Sequence, residues 1–118
     1  MDKTYLKQGD IIYIDFDPSN GSEIKKRRPA LIISRDEYNY ASNLVIVCPI
    51  TSSKKERPYL VTIKTDFLSE NSKVNTKQLY TLDWTENGHR HPQLIGRLKA
   101  KDIVNIGQYV LNNFNFMR

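Results

Sequence analysis

The sequence has 118 residues, of which 39% are hydrophobic and 26% are charged, and its formal net charge is +5. This length predicts one compact domain over residues 1–118 with a single core, and the composition argues against a disordered chain. No apolar stretch approaches the roughly 20 residues that a membrane-spanning helix requires, and the first residues lack the pattern of a secretion signal. The sequence therefore predicts a cytoplasmic protein with no membrane partner.

Strand signals come early and close together. Alternating apolar residues predict a half-buried strand at residues 10–16, and the proline and Asn-Gly of residues 17–22 predict a long loop after it. Further β-rich runs, separated by polar turns at residues 35–43 and 52–58, span residues 30–34, 44–49 and 59–65. Weaker strand signals lie at residues 77–82 and 94–98.

Towards the C-terminus the apolar period becomes that of a helix. Ile103, Ile106 and Val110 recur at helical spacing and predict an amphipathic helix. Gly107 costs this helix about 1 kcal/mol relative to alanine, or indicates close packing there. Short helical turns are expected at residues 67–70 and 84–87. The fold prediction is mainly β (α+β): a small, strongly bent antiparallel sheet or SH3-like barrel with a C-terminal amphipathic helix.

The positive charge gathers in two short runs beside predicted strands. Their members are Lys25, Lys26, Arg27, Arg28, Lys54, Lys55 and Arg57. Either run alone is more simply a solvated loop. Together they favour one positive groove, which would attract a polyanion less strongly as the salt concentration rises.

Four fragments in a fixed order carry a resemblance to a known family. They are Gly9-Asp10, the Asp17-Pro18 turn with Gly21-Ser22-Glu23, Arg28-Pro29-Ala30, and Pro49-Ile50-Thr51-Ser52. Each fragment alone is a weak signal, but the ordered set resembles the MazF/PemK family of toxin ribonucleases from bacterial type II toxin-antitoxin pairs. The resemblance covers the first half of the chain well and the rest loosely. It implies a sequence-selective endoribonuclease that cuts single-stranded RNA, often messenger RNA, with no metal or other cofactor.

The same resemblance makes Arg28 and Thr51 the catalytic pair. RNA carries its own nucleophile, the 2′-hydroxyl, and an arginine can donate two parallel hydrogen bonds to the oxygens of the attacked phosphate. Thr51 would donate to that phosphate or hold the attacking hydroxyl. Glu23 is either a base in the reaction or a residue that reads an RNA base, and both roles remain open. The expected products are a 2′,3′-cyclic phosphate and a free 5′-hydroxyl.

Polar and cationic residues near this pair are expected to bind RNA. They are Asn20, Gly21, Ser22, Lys25, Lys26, Arg27, Ser52, Lys54, Lys55 and Gln78. Ser52 is equally consistent with a hydrogen bond to turn backbone. Gln78 would read a base edge, although Lys77 before it departs from the acidic residue that many members of the family carry there.

Other reactive residue types favour structural roles. Asp15 and Asp17 have no further ligands nearby to complete a metal site, so they predict only a polar strand end. His89 and His91 lack zinc-type spacing and partner cysteines and predict a surface loop. The single Cys48 lies in an apolar run, which predicts a buried, inert thiol.

The partners follow from the resemblance. It implies a homodimer with an RNA groove at the two-fold interface, and a cognate antitoxin whose acidic tail blocks that groove; Phe114 and Phe116 would contribute to either interface. Two alternatives remain: a non-catalytic toxin that binds DNA gyrase, and an SH3-like nucleic-acid-binding module. The presence of both Arg28 and Thr51 argues against the gyrase binder, whereas the clustered cations allow the binding module.

Overall fold

The computed structural model describes residues 5–17 and 27–116. Strands dominate this part of the chain, with one helix between the second and third strands and one at the C-terminal end. In chain order the elements are β1 (Asp10–Asp15), β2 (Arg27–Ile32), α1 (Asp36–Ser42), β3 (Leu44–Ser52), β4 (Leu60–Thr62), β5 (Ser72–Asn75), β6 (Tyr80–Asp83), a 3₁₀ turn (Glu86–Gly88), β7 (Gln93–Arg97) and α2 (Ala100–Leu111).

The strands form one antiparallel sheet in the order β4-β5-β3-β2-β1-β7, and β6 pairs with the first half of β3. The long strand β3 changes partner along its length: Val47 lies opposite Tyr80 of β6, whereas Ile50 lies opposite Val74 of β5. Within the described chain β4 and β7 are not paired with each other. The described strands thus form the antiparallel sheet that the sequence predicts, with β4 and β7 as its two edges.

Both faces of the sheet are buried, which differs from the half-buried first strand and single core that the sequence predicts. One cluster contains Ile11, Leu31, Cys48, Ile50, Ile63, Val74, Leu98 and Ile106. The other contains Ile12, Ile14, Ala30, Ile32, Val45, Val47 and Leu82. Consecutive apolar residues of β1 therefore belong to opposite clusters, as the alternation of side chains along a strand requires.

Two predictions of local structure were wrong. The polar turn expected at residues 35–43 is helix α1, which forms because buried Asn39 bonds to the Ser34 hydroxyl and donates to the Leu6 carbonyl at 2.9 Å. The strand expected at residues 77–82 begins only at Tyr80, while β5, with the polar sequence Ser-Lys-Val-Asn, was not predicted. In both places tertiary hydrogen bonds override the local pattern. The helical turn expected at residues 67–70 is also absent from the described structure.

The C-terminal helix was predicted correctly. Ile106 of α2 is buried, and Ile103 and Val110 pack against the first cluster. Gly9, at a φ of +92°, makes room for this helix, because a Cβ there would lie 2.3 Å from the Ile103 side chain. Gly107 is not closely packed, since a Cβ at that position meets no atom of the described chain within 4 Å. None of the described helices is long and apolar enough to cross a membrane.

Candidate active site

The site begins where β2 and β3 separate. Their ladder ends at the pair Ala30 and Pro49, although both strands continue beyond it. The hydrogen bond from the Ile33 N–H to the Ile46 carbonyl sets the phase of this ladder, so its next hydrogen-bonded pair would join Pro29 and Ile50. Pro29 has no backbone N–H to donate there, so the ladder is weakened at this point. Continuing the register by two residues places Arg28 and Thr51 opposite each other on the separated strands. The Arg28-Pro29 and Pro49-Thr51 parts of the sequence motif therefore belong to one place in the fold.

Arg28 is half-buried within β2, and not before the second strand as predicted. Its guanidinium carbon lies 5.6 Å from the centroid of the Phe16 ring. Phe16 in turn packs edge-on against Tyr80, with centroids 4.9 Å apart. The aromatic pair supports one face of the guanidinium. Within the described residues Arg28 makes no ion pair, so its charge is not neutralised by a neighbouring carboxylate there.

Arg27, expected to bind RNA, is placed differently. Its Nη1 donates to Asp15 Oδ1 at 3.0 Å, and His91 Nδ1 lies 3.1 Å from the other oxygen of the same carboxylate. Burial alone would raise the pKa of Asp15, but the hydrogen bonds from His91 and Arg27 and their charges outweigh burial and lower it. Arg27 is thus held in an ion pair at the end of β1.

Thr51 is the second-to-last residue of β3 and is half-buried. It borders a cleft of about 270 Å³ lined by Tyr13, Pro29, Ile50, Thr51, Ser52, Phe67, Leu68, Ser69 and Ser72. Within this cleft the Ser52 and Ser69 hydroxyls are 3.1 Å apart, and the Ser69 and Ser72 hydroxyls 3.2 Å apart. Ser52 therefore bonds to side-chain hydroxyls at the rim, and not to turn backbone.

The Phe67 wall of the cleft depends on a glycine. A Cβ at Gly96 of β7 would lie 2.2 Å from the Phe67 ring, so the ring rests directly on the backbone of β7. Phe67 itself is 38% exposed. An aromatic face is thereby held open to solvent beside Ser52 and Thr51.

A residue that the sequence did not reveal lies directly opposite Thr51. Lys73 of β5 is only 3% exposed, and its Nζ donates to the Ser53 carbonyl at 2.6 Å. Nothing in the local pattern marks this lysine, because β5 was not predicted as a strand. Only the register of β3 with β5 reveals that it neighbours Thr51.

The loop after β3 carries the second cationic run, with Lys54, Lys55 and Arg57 all exposed. Of the first run, Lys25 and Lys26 lie outside the described residues, as do Asn20, Gly21, Ser22 and Glu23. The structure therefore brings Arg28 and Thr51 to one end of the sheet, with Lys54 and Lys55 beyond Thr51. A groove formed by both runs stays a prediction.

Gln78 lies in the turn between β5 and β6 and not in a strand. It is exposed, and its Oε1 accepts a hydrogen bond from Asn75 Nδ2 at 3.2 Å. Lys77 places its Nζ 4.9 Å from the centroid of the Tyr59 ring, away from Gln78. Gln78 thus stands two residues before β6, which pairs with the first half of β3.

Cys48, His89 and His91 lie where the sequence predicts, in the core and in a surface loop. Cys48 is fully buried, and burial raises the pKa of its thiol to about 12, which leaves it protonated and inert. His89 and His91 are exposed on the loop before β7. Within residues 5–17 and 27–116 no group of three histidine, cysteine or carboxylate side chains has the arrangement of a metal site.

Comparison with known proteins places this arrangement in a family. Residues 7–114 match the family described as PemK-like, MazF-like toxin of type II toxin-antitoxin system. The endoribonuclease toxin MazF of Escherichia coli strain K12 is 31% identical over 104 residues, which cover 84% of this chain and 92% of that protein. A crystal structure of MazF from Deinococcus radiodurans superposes with a TM-score of 0.76 at 25% identity, over 93% of this chain and 96% of that one.

A chain of the MazE-MazF crystal structure from the same organism superposes with a TM-score of 0.73 at 22% identity, over 93% of this chain and 95% of that one. This second likeness concerns the fold alone. The match of the family to nearly the whole described chain, together with the curated relative, leads to one conclusion. The chain belongs to the PemK-like, MazF-like toxin family of type II toxin-antitoxin systems.

Proposed function

We propose that this toxin is a sequence-selective endoribonuclease that cleaves single-stranded RNA, chiefly messenger RNA in the cytoplasm, without a metal ion. The observation that supports the proposal is that the register of β2 and β3, continued by two residues, sets Arg28 opposite Thr51. Named relatives of the chain are endoribonucleases, and the two residues are of the types that such cleavage needs.

The reaction is an attack of the RNA 2′-oxygen on the adjacent phosphorus. The new P–O2′ bond forms as the P–O5′ bond breaks, which leaves a 2′,3′-cyclic phosphate on one fragment and a 5′-hydroxyl on the other. A base takes the 2′-hydroxyl proton, and an acid returns a proton to O5′. Negative charge builds on the remaining phosphate oxygens in the transition state.

Arg28 suits the stabilisation of that charge. Its guanidinium stays positive, presents paired donors and is supported on one face by Phe16. Donors aimed at transition-state charge contribute about 3–4 kcal/mol each. Thr51 supplies a hydroxyl that donates to the same phosphate or holds O2′. Glu23 serves either as the base or as a reader of an RNA base.

RNA binding is assigned to the residues around this pair. Ser52, Lys54 and Lys55 lie at the end of β3 or beyond it, and Gln78 lies in the turn before β6. Asn20, Gly21, Ser22, Lys25 and Lys26 precede β2 in sequence. Arg27 would contact RNA only by leaving Asp15. The net charge of +5 suits a polyanion and also the acidic tail of a cognate antitoxin, which we expect to occupy the same groove of a homodimer.

The deciding experiment is cleavage of a long, mixed-sequence single-stranded RNA in excess EDTA, with both fragment ends mapped. Wild-type protein is expected to give discrete cuts with cyclic-phosphate ends, and Arg28→Ala and Thr51→Ala are expected to abolish them. Arg35→Ala and Thr81→Ala, which change exposed residues away from the site, are the matched controls.

RNA binding by the same variants separates catalysis from simple binding. An enzyme loses cleavage in Arg28→Ala while retaining most of its affinity for RNA. Intact RNA with folded, antitoxin-free wild-type protein would refute the proposal and favour the non-catalytic binding module. The gyrase-binding alternative gains no support from any observation described above.

A further inference from the structure

Lys73 forms a row with the two proposed catalytic residues. It lies directly opposite Thr51 in the β3–β5 ladder, and directly opposed residues of an antiparallel pair project to the same face of the sheet. Alternation places Thr51 on the face of Val45 and Val47, and Arg28 on the face of Ala30 and Ile32. Those four apolar residues belong to one cluster, so Arg28, Thr51 and Lys73 share a face across three neighbouring strands.

The side chain of Lys73 reaches past Thr51 to the end of β3. Its Nζ donates to the carbonyl of Ser53, the first residue beyond the strand, at 2.6 Å. Ser53 also holds the next turn, because its hydroxyl accepts the Lys55 N–H at 3.0 Å. One amino group therefore fixes the end of β3, just beyond Thr51, where the cationic loop begins.

The burial of this lysine requires a reason. Lys73 as a residue is only 3% exposed, and a buried charge costs several kcal/mol unless it is hydrogen-bonded or paired. A methionine would fill the same space without that cost. The low exposure also means that the ammonium does not lie open to an RNA phosphate in this structure.

We propose that Lys73 is a positioning residue for RNA cleavage. It holds the Ser53 carbonyl and so sets the position of the Thr51 hydroxyl relative to Arg28. The inference rests on the proposed ribonuclease function, and it concerns the chemical step rather than the binding of RNA.

The test compares Lys73→Met, which keeps the length and removes the donor, with Lys73→Arg, which keeps a charged donor. Lys64→Met, at an exposed lysine, is the matched control. Lys73→Met is expected to fold with an undiminished melting temperature and to lose about 10- to 100-fold in kcat, the cost of a small misplacement of a catalytic group. KM and the salt dependence of RNA binding stay unchanged, and Lys73→Arg recovers part of the loss.

Hydrogen–deuterium exchange gives a readout that does not need activity. The amides of residues 51–58 are expected to exchange faster in Lys73→Met than in wild type or Lys64→Met. If Lys73→Met does not fold, Lys73→Gln replaces it, because glutamine is polar but one bond too short to keep the same contact, and the same loss of kcat is expected.

Two results would overturn the inference. One is wild-type kcat in a folded variant that lacks the contact. The other is a raised KM together with a weaker salt dependence of RNA binding, the slope of log K against log salt concentration falling by about one. That result would indicate that Lys73 contacts an RNA phosphate directly. If the wild-type protein cuts no RNA, the proposed function fails and the positioning role of Lys73 fails with it. If the wild-type protein cuts RNA, the kcat of the Lys73 variants tests the role of Lys73 alone.

Discussion

Arg27 and Arg28 are neighbours in β2, yet they belong to two regions with different electrostatics. At the Asp15 end of β1, Arg27 and His91 both contact one carboxylate, so Arg27 is held in an ion pair there. At the strand split, Arg28 lies against the Phe16 ring, and the described residues provide it with no carboxylate. Because successive side chains of a strand face opposite sides, a single step along the chain separates an arginine held by a carboxylate from one that lies against an aromatic ring.

The largest expected effect tests this contrast directly. Arg28→Ala is expected to lower the rate of RNA cleavage by about 100- to 1,000-fold, the typical cost of removing one donor to transition-state charge. Arg27→Ala, in the ion-paired region at Asp15, is expected to lower the rate by less than about tenfold, consistent with loss of a contact at the rim of the site. Single-turnover rates on one RNA measure both. Equal losses in the two variants would remove the distinction between the regions.

Gly96→Ala tests the contact between the Phe67 ring and the backbone of β7, beside the strand split. The new methyl group cannot coexist with Phe67 in its present position, and overpacking of this kind costs about 1–3 kcal/mol. We expect a lower free energy of unfolding in urea and a changed cleavage pattern, because Phe67 borders the cleft at Thr51. The double variant Gly96→Ala with Phe67→Ala should recover stability. If it does not, the clash with the ring is not the cause.

The ion-paired region is tested by acid. The lowered pKa of Asp15 means that its partners stabilise the folded protein above the usual value of 3.8, and this contribution is lost as the pH falls through the folded-state pKa. In Asp15→Asn the free energy of unfolding should therefore fall less steeply as the pH is lowered. Urea unfolding between about pH 2 and 6 measures this slope.

The pKa of Asp10 is shifted in the opposite direction from that of Asp15, so Asp10 serves as a control. Burial raises its pKa despite the Lys7 N–H and the positive charge of Arg97. A carboxyl with a raised pKa contributes stability at low pH that is lost as the pH rises through the folded-state value. Asp10→Asn should remove this loss of stability, which occurs between the usual pKa of 3.8 and the higher folded-state pKa. Identical pH profiles for the two variants would contradict these assignments.

The smallest expected effect is that of a substitution at Gly107 in α2. Gly107 interrupts α2 without touching the described chain, so Gly107→Ala should raise the free energy of unfolding by up to about 1 kcal/mol through helix propensity alone. Cleavage should not change. A loss of activity or of dimer in this variant would indicate that another chain packs against the helix at this position.

The sequence was most informative where a residue type has a local meaning. Turn residues, alternating apolar residues and the helical period at Ile103 and Ile106 correctly predicted most strands and α2. Helix α1 was missed because its stability comes from Asn39, whose hydrogen bonds reach Leu6 and Ser34 and are not visible in a local pattern.

The candidate site was predictable to the extent that it is a motif. Arg28 and Thr51 follow from the family resemblance, and the structure adds that they occupy opposing positions. Lys73 was not predictable, because a lysine between Ser72 and Val74 acquires its meaning only from the register of β5 with β3. The pairing of Arg27 with Asp15 likewise depends on cross-strand distance and not on spacing along the chain.

Pro29 gives the strand split a property that side chains alone would not. It stands where β2 would next donate a backbone hydrogen bond to β3, and a proline has no N–H to donate. One ladder hydrogen bond is therefore absent just before the opposed positions of Arg28 and Thr51, whatever side chains flank them. The weak end of the pairing is fixed by the covalent structure of the backbone and does not depend on a bound partner.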